Sequence, residues 1–333
     1  MADIVILGSG GFGLSLAVSA SKKGRHNITV WSKFQQEIDD IKANGEHIQK
    51  LPGVKIPAEI NLTSDISCVK GCDILILGIP SSFARSVAQL AKPYVDDNMV
   101  IVNTGKGIEE GSLKLLSEVI TEELNTKKLV VLSGPSHAEE VARGIPTTMV
   151  AASYNRESAK YIQEQLGSST LRIYLNDDVK GCEIGGALKN IIALCCGICD
   201  GIGGGDNTKA ALMTRGIHEI ARLGIAAGAR HLTFTGLTGI GDLIVTCTSV
   251  HSRNARAGKL IGQGMKPEDA VKKVGTVEGY CCCSATYELA KKLGVEMPIT
   301  EQLNKVLFHD GDAQEALTSL MSRPMIYEQE ELN

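Results

Sequence analysis

The sequence predicts an α/β fold, a doubly wound and mainly parallel sheet followed by an all-α C-terminal domain. Two observations carry this expectation. Through the first half, short runs of β-branched and other apolar residues alternate with helix-length segments. The runs are apolar throughout, as strands buried on both faces require. From about Val179 the Val/Ile-rich runs give way to Ala, Gly, Leu, Met and Cys at helical spacing. A chain of 333 residues exceeds the usual size of one domain, so two are expected, 1–178 and 179–333.

Each element has its own signal. "DIVILGSG" reads as a strand ending in glycines, and "GLSLAVSASKKG" as the helix after it, stopping at Gly24. "NITVW" is a second strand. "CDILILGIP", "NMVIVNTG" and "KLVVLSGP" are three more, each ending in Gly or Pro, and "TTMVAAS" and "LRIYLND" extend the sheet. "KNIIALCCGICDG", "TKAALMTRGIHEIARLGIAAG", "ATYELAKKLG" and "PITEQLNKVLFHD" are helices of the second domain. The final "IYEQEELN" reads as a frayed acidic tail.

Composition narrows the function. A formal net charge of −4 with no Lys/Arg-rich run argues against nucleic acid and anionic membrane as partners. A small anionic ligand is still compatible, because local cations hold it. The N-terminus has no basic start or cleavage pattern, and no uncharged apolar run of about 18 residues suggests a membrane span. The ten cysteines are then expected to be reduced thiols of a cytoplasmic protein. Cys196 and Cys199 form C-x-x-C inside an apolar helical run, and Cys281, Cys282 and Cys283 are consecutive. Small apolar packing, not a metal or redox site, is the expectation for both clusters.

Gly8, Gly10 and Gly13 form G-x-G-x-x-G between a strand and a helix, the fingerprint of a Rossmann-type dinucleotide-binding domain. Gly8 permits the tight turn, Gly10 lets backbone approach a pyrophosphate, and Gly13 lets the helix sit close to the strand. The end of the second strand reads "VWSKF", with Ser32 where an Asp or Glu would bind the adenosine ribose and Lys33 beside it. An absent carboxylate and a nearby cation lean toward NADPH, with dual use of NADH possible. Phe12 is expected over the pyrophosphate turn.

Ligands of an open parallel sheet sit beyond the carboxyl ends of its strands. Lys106 lies there between Gly105 and Gly107, and Gly134-Pro135-Ser136 ends a strand and starts a helix. In the second domain, "GLTGIGDLIVTC" supplies Asp242, and Ser252, Arg253 and Asn254 are consecutive donors suited to a phosphate. "GTVEGY" adds Val277 and Glu278. Lys189 is a single ammonium in a small, apolar helical stretch, with Gly185 and Gly186 one turn upstream. Either the glycines allow close packing, or they leave the Lys189 face, with Cys182 and Ala193, open for a substrate. Snorkelling of Lys189 to solvent is the bland alternative.

With these blocks in order, the chain resembles the NAD(P)-dependent glycerol-3-phosphate dehydrogenases of the bacterial type. "GSGGFG", "NTGKGIE", "GPSHAEEVA", "LKNIIALCCGICDGIGGGDNTKAAL", "GLTGIGDLIVTC" and "SRNARAG" carry the resemblance over most of the chain. It implies reversible hydride transfer between NAD(P)H and dihydroxyacetone phosphate, giving sn-glycerol 3-phosphate for phospholipid synthesis. By the same resemblance Lys189 would carry the proton, and Lys106 would touch both cofactor and substrate. Gly134, Ser136, Asp242, Ser252, Arg253 and Asn254 would bind substrate. Gly11, Phe12, Lys33, Ala138, Arg253, Val277 and Glu278 would line the cofactor. The family often has Ser or Ala at the position of Gly11 and a clearer arginine near Lys33. A homodimer is a possible assembly.

Overall fold

A computed structural model describes residues 1–325, 327 and 328, so most of the expected acidic tail at 326–333 lies outside the described residues. The chain divides into two compact units. The first comprises 1–106 and 116–179; the second comprises 107–115 and 180–333. The nine residues after Lys106 therefore group with the second unit, well before the junction expected at 178/179.

The first unit is an eight-stranded sheet of β1 (Ala2–Leu7), β2 (His26–Trp31), β3 (Asn61–Thr63), β4 (Ile74–Leu77), β5 (Val100–Asn103), β6 (Leu129–Ser133), β7 (Thr147–Ala152) and β8 (Leu171–Asn176). Its spatial order is β3-β2-β1-β4-β5-β6-β7-β8. All neighbouring pairs are parallel except β6 with β7. Side chains of β1 alternate between two apolar layers. Ile4 and Ile6 join the cluster with Leu14, Ile38 and Val30, while Val5 and Leu7 join the one with Trp31, Leu75 and Val87. Burial on both faces is why the central strands β4 and β5 are apolar almost throughout, whereas the edge strand β8 alternates buried Leu171 and Ile173 with exposed Arg172 and Tyr174. Register aligns Leu7 with both Trp31 and Leu77, and Leu77 with Asn103. The loops leaving β1, β2, β4 and β5 consequently emerge at one edge.

The second unit is helical, and its core runs from Ile184 and Leu188 through Ile220 and Phe234 to Cys283 and Leu303. Helix Val179–Gly201 is its spine. It is also long and apolar enough to cross a membrane, but 94% of its apolar window is buried inside the protein. Glycine brings neighbouring backbone against it. A Cβ on Gly197 would overlap the Ala255 carbonyl, and one on Gly258 or Gly262 would overlap the carbonyls of Leu194 or Ile198. Helix Arg253–Gly262 thus packs on the spine at backbone contact distance.

Most cysteines of this unit serve its packing, but Cys281 is exposed, which corrects the expectation for that member of the 281–283 run. Cys196, Cys199, Cys282 and Cys283 are buried in the helical core, and none of the ten cysteines is in a disulfide. The neighbouring Cys247 thiol and burial push the Cys196 thiol far up, and burial pushes that of Cys283 up to about 12. Such groups do not supply a thiolate near neutrality.

Candidate active site

The Lys189 ammonium is inside the second unit. The residue is 6% exposed, and its Nζ donates to Asp242 Oδ1 at 3.0 Å and to Thr246 Oγ1 at 2.6 Å. Asp242 and Thr246 are buried one turn apart on helix Asp242–Thr248, so both face the same side. Thr246 Oγ1 in turn donates to the Asp242 carbonyl at 2.7 Å. The hydroxyl therefore presents a lone pair to the ammonium. Lys189 does not snorkel.

Gly185 answers the question its sequence raised, in favour of packing. A Cβ there would overlap the Thr238 carbonyl and crowd Gly239. This close approach seats the π-helical turn Leu237–Gly241, which leads directly into Asp242. The expectation that this glycine leaves open space for a substrate is corrected: backbone fills it, and the effect is to bring Asp242 within reach of Lys189.

A second polar chain begins one residue on. Asn190 Oδ1 accepts from Asn254 Nδ2 at 2.9 Å, and Asn254 Oδ1 accepts the Gly279 N–H at 2.8 Å. Gly279 itself lies against the Asn190 carbonyl, where a Cβ would not fit. Asn254 is thus a buried brace joining Lys189's neighbour to the start of helix Glu278–Leu293. Ser252 is the N-cap of helix Arg253–Gly262, its Oγ accepting the Ala255 N–H at 3.2 Å. Arg253 is exposed at the first position of that helix. Of the three expected phosphate donors, two have structural hydrogen bonds and one projects to solvent. Val277 is in the helical core and Glu278 opens the helix that follows.

The remaining expected residues lie in the first unit. Gly8 adopts φ +123°, and a Cβ there would overlap the Gly78 carbonyl; one on Gly13 would overlap the Gly8 carbonyl. The Gly8 N–H donates to the Trp31 carbonyl at 2.8 Å, tying the loop to β2. Gly10 is the N-cap of helix Gly11–Ser21, with no side-chain cap and only the Gly78 carbonyl, 3.9 Å away, on its Cβ side. Backbone N–H groups of an uncapped helix start are the donors a pyrophosphate requires, so this loop fits a dinucleotide. Gly11 is close to the Lys50 carbonyl and to Ala138, and Phe12 packs beside them on the core. Lys106 Nζ and Ser136 Oγ both donate to the Gly134 carbonyl, each at 3.0 Å.

One group escaped the sequence reading. Glu37, in the first turn of helix Gln35–Asn44, accepts hydrogen bonds from Ser9 and Ser32 through Oε2. His47 Nε2 lies 3.0 Å and Lys50 Nζ 2.5 Å from its Oε1. The His47 hydrogen bond, then those of Lys50, Ser32 and Ser9, hold the carboxyl far below the usual carboxylate range despite burial. The inference that no carboxylate stands at the end of β2 is therefore corrected. Thr246 and Asn190 were also missed, although the i, i+4 spacing from Asp242 marks the first.

Comparison with known proteins places this arrangement. Residues 3–159 match the model of the NAD-dependent glycerol-3-phosphate dehydrogenase N-terminus, and residues 178–318 match that of the C-terminus. The chain belongs to the NAD-dependent glycerol-3-phosphate dehydrogenase family. It is 49% identical to a glycerol-3-phosphate dehydrogenase [NAD(P)+] of Fusobacterium nucleatum over 97% of each chain. Identity is 50% to one from Clostridium perfringens strain SM101, over 97% of this chain and 98% of that one. A solved glycerol-3-phosphate dehydrogenase from Coxiella burnetii superposes with a TM-score of 0.93 at 36% identity, covering 97% of this chain and 99% of that one. As a member of this family the chain is an NAD(P)-dependent oxidoreductase with a Rossmann-type first unit and a helical second unit. Among the described residues no group of three or more His, Cys, Asp or Glu is arranged to hold a metal ion.

Proposed function

We propose that this chain interconverts dihydroxyacetone phosphate and sn-glycerol 3-phosphate with NAD(P)H, supplying glycerol phosphate for phospholipid synthesis. The observation that carries the mechanism is the buried Lys189 ammonium, fixed by Asp242 and Thr246. The nicotinamide, when bound, supplies or accepts the hydride. Lys189 Nζ gives a proton to the developing alkoxide oxygen in reduction and takes the hydroxyl proton in the reverse direction. Asp242 holds the ammonium as an ion pair, and Thr246 fixes its direction. Neither needs to change protonation state.

The other residues bind and orient. Glycines 8, 10, 11 and 13, with Phe12, Ser32, Lys33 and Ala138, are assigned to the dinucleotide. Lys106 is assigned to both cofactor and substrate, with Gly134 and Ser136 beside it on the substrate. Arg253 is the exposed cation for the substrate phosphate, at a helix N-terminus whose dipole favours an anion. Ser252 and Asn254 hold that helix start in place. Val277 and Glu278 complete the cofactor lining. Ten cysteines with none in a disulfide support a reducing compartment, the cytoplasm. A second copy of the chain is the macromolecular partner we assign, for which exposed Leu232, Ile240, Ile244 and Val250 offer apolar surface.

The test is a single assay. Dihydroxyacetone phosphate added to the purified chain with NADH or NADPH should produce loss of the reduced-nicotinamide absorbance. No loss with either coenzyme would overturn the reading. Arg253→Ala should raise KM for dihydroxyacetone phosphate by about tenfold to a hundredfold, as loss of a charge-assisted phosphate contact worth ~1.5–3 kcal/mol implies. An unchanged KM would place the phosphate elsewhere.

A further inference from the structure

We propose that Glu37 sets the coenzyme preference: its carboxylate takes the 2′-hydroxyl of an adenosine ribose and turns away a 2′-phosphate, so that NADH is favoured over NADPH.

Placement is the first argument. Ser9 belongs to the glycine loop and Ser32 follows β2, and both hydroxyls donate to the same carboxylate oxygen of Glu37. The carboxylate is thereby fixed beside the pyrophosphate turn and the strand end together. This is where a doubly wound sheet meets the ribose hydroxyls with an acidic group. Here the acid arrives from the following helix instead of from the strand end itself.

Rigidity is the second. The other oxygen faces His47 and Lys50. His47 is buried, and its Nδ1 lies 3.4 Å from the Lys50 backbone N–H. With Nδ1 accepting that N–H, Nε2 is assigned the proton donated to Glu37. The carboxylate is gripped through both oxygens, so swinging away from an arriving phosphate would break four hydrogen bonds.

Charge is the third. A phosphomonoester carries roughly 1.5–2 negative charges near neutral pH, and it would have to settle against an ionised carboxylate in a part-buried position. A ribose hydroxyl, by contrast, donates to that carboxylate in place of a serine hydroxyl. The cation that first suggested NADPH, Lys33, is exposed to solvent, where its attraction is screened. Lys50 is paired with Glu37 itself. Neutralising Glu37 reverses the balance, because Lys50, His47 and both serines then remain as donors for a 2′-phosphate.

Glu37→Gln preserves size and one acceptor oxygen while removing the charge. The experiment is kcat/KM for NADH and for NADPH, with dihydroxyacetone phosphate saturating, on the full-length wild type and on this variant. Both coenzymes are assayed on the same sample, so any loss of folded protein cancels in the ratio. The wild type should favour NADH, and the variant's NADH-to-NADPH ratio should fall by about tenfold or more, a factor equal to ~1.4 kcal/mol. The change should sit mainly in KM for NADPH. A wild type that favours NADPH, or a ratio unchanged in the variant, would overturn the proposal. Were dihydroxyacetone phosphate not reduced at all, the family reaction would fail separately. Fluorescence titration of NADH and NADPH binding to both proteins would then read the same ratio, with the same two overturning results.

Discussion

Lys189→Ala should abolish turnover while leaving cofactor affinity nearly intact. General acid–base catalysis by a positioned side chain contributes about 10²–10⁴-fold, and kcat should fall by an amount in that range. NADH and NADPH affinity, measured by fluorescence, should change little, because the glycine loop belongs to the first unit. Lys189→Arg should not restore the rate. A guanidinium keeps the charge but does not release a proton near neutral pH. Turnover within a few-fold of wild type in the alanine variant would remove Lys189 from the mechanism.

Asp242→Ala should be the substitution that costs most stability. It removes the carboxylate of a buried ion pair and leaves the Lys189 charge inside the helical unit. Breaking such a pair typically costs about 3–5 kcal/mol. Asp242→Asn retains an acceptor oxygen and should lose less. Denaturant unfolding of the three proteins is the measurement, read as a shift in midpoint at constant slope. A loss below about 1 kcal/mol in the alanine variant would mean that the pair behaves as a solvated one. The pair need not be a net stabiliser for this to hold, since the penalty comes from the partner left behind.

Much of this was legible in the sequence, and the illegible parts share a cause. The central strands announced themselves because burial on both faces makes β4 and β5 apolar almost throughout. β3 did not, because its three residues, Asn61–Thr63, carry no periodicity. The antiparallel entry of β7 was hidden because strand composition does not encode direction. Lys189 was conspicuous as a charge in an apolar run, Lys106 stood in a glycine-flanked loop, and Asp242 followed a glycine-rich stretch. Glu37 was invisible for a geometric reason. The sequence rule looks for an acid at the strand end, whereas a helix turn folds this one back onto Ser9 and Ser32. The purpose of Gly185 likewise depended on which backbone would arrive beside it, a fact that only the tertiary structure holds.

The glycine-to-backbone seam between helices Val179–Gly201 and Arg253–Gly262 implies a map of intolerance at residues that carry no reactive group. In a saturation scan read by growth or activity, Gly197, Gly258 and Gly262 should be as unforgiving as Lys189. A methyl group at any of them pries apart the spine and the helix that carries Arg253 and Asn254. The dead positions would trace a ladder along two helices, and free tolerance of alanine on its rungs would show that the seam can open without dismantling the chemistry beside it.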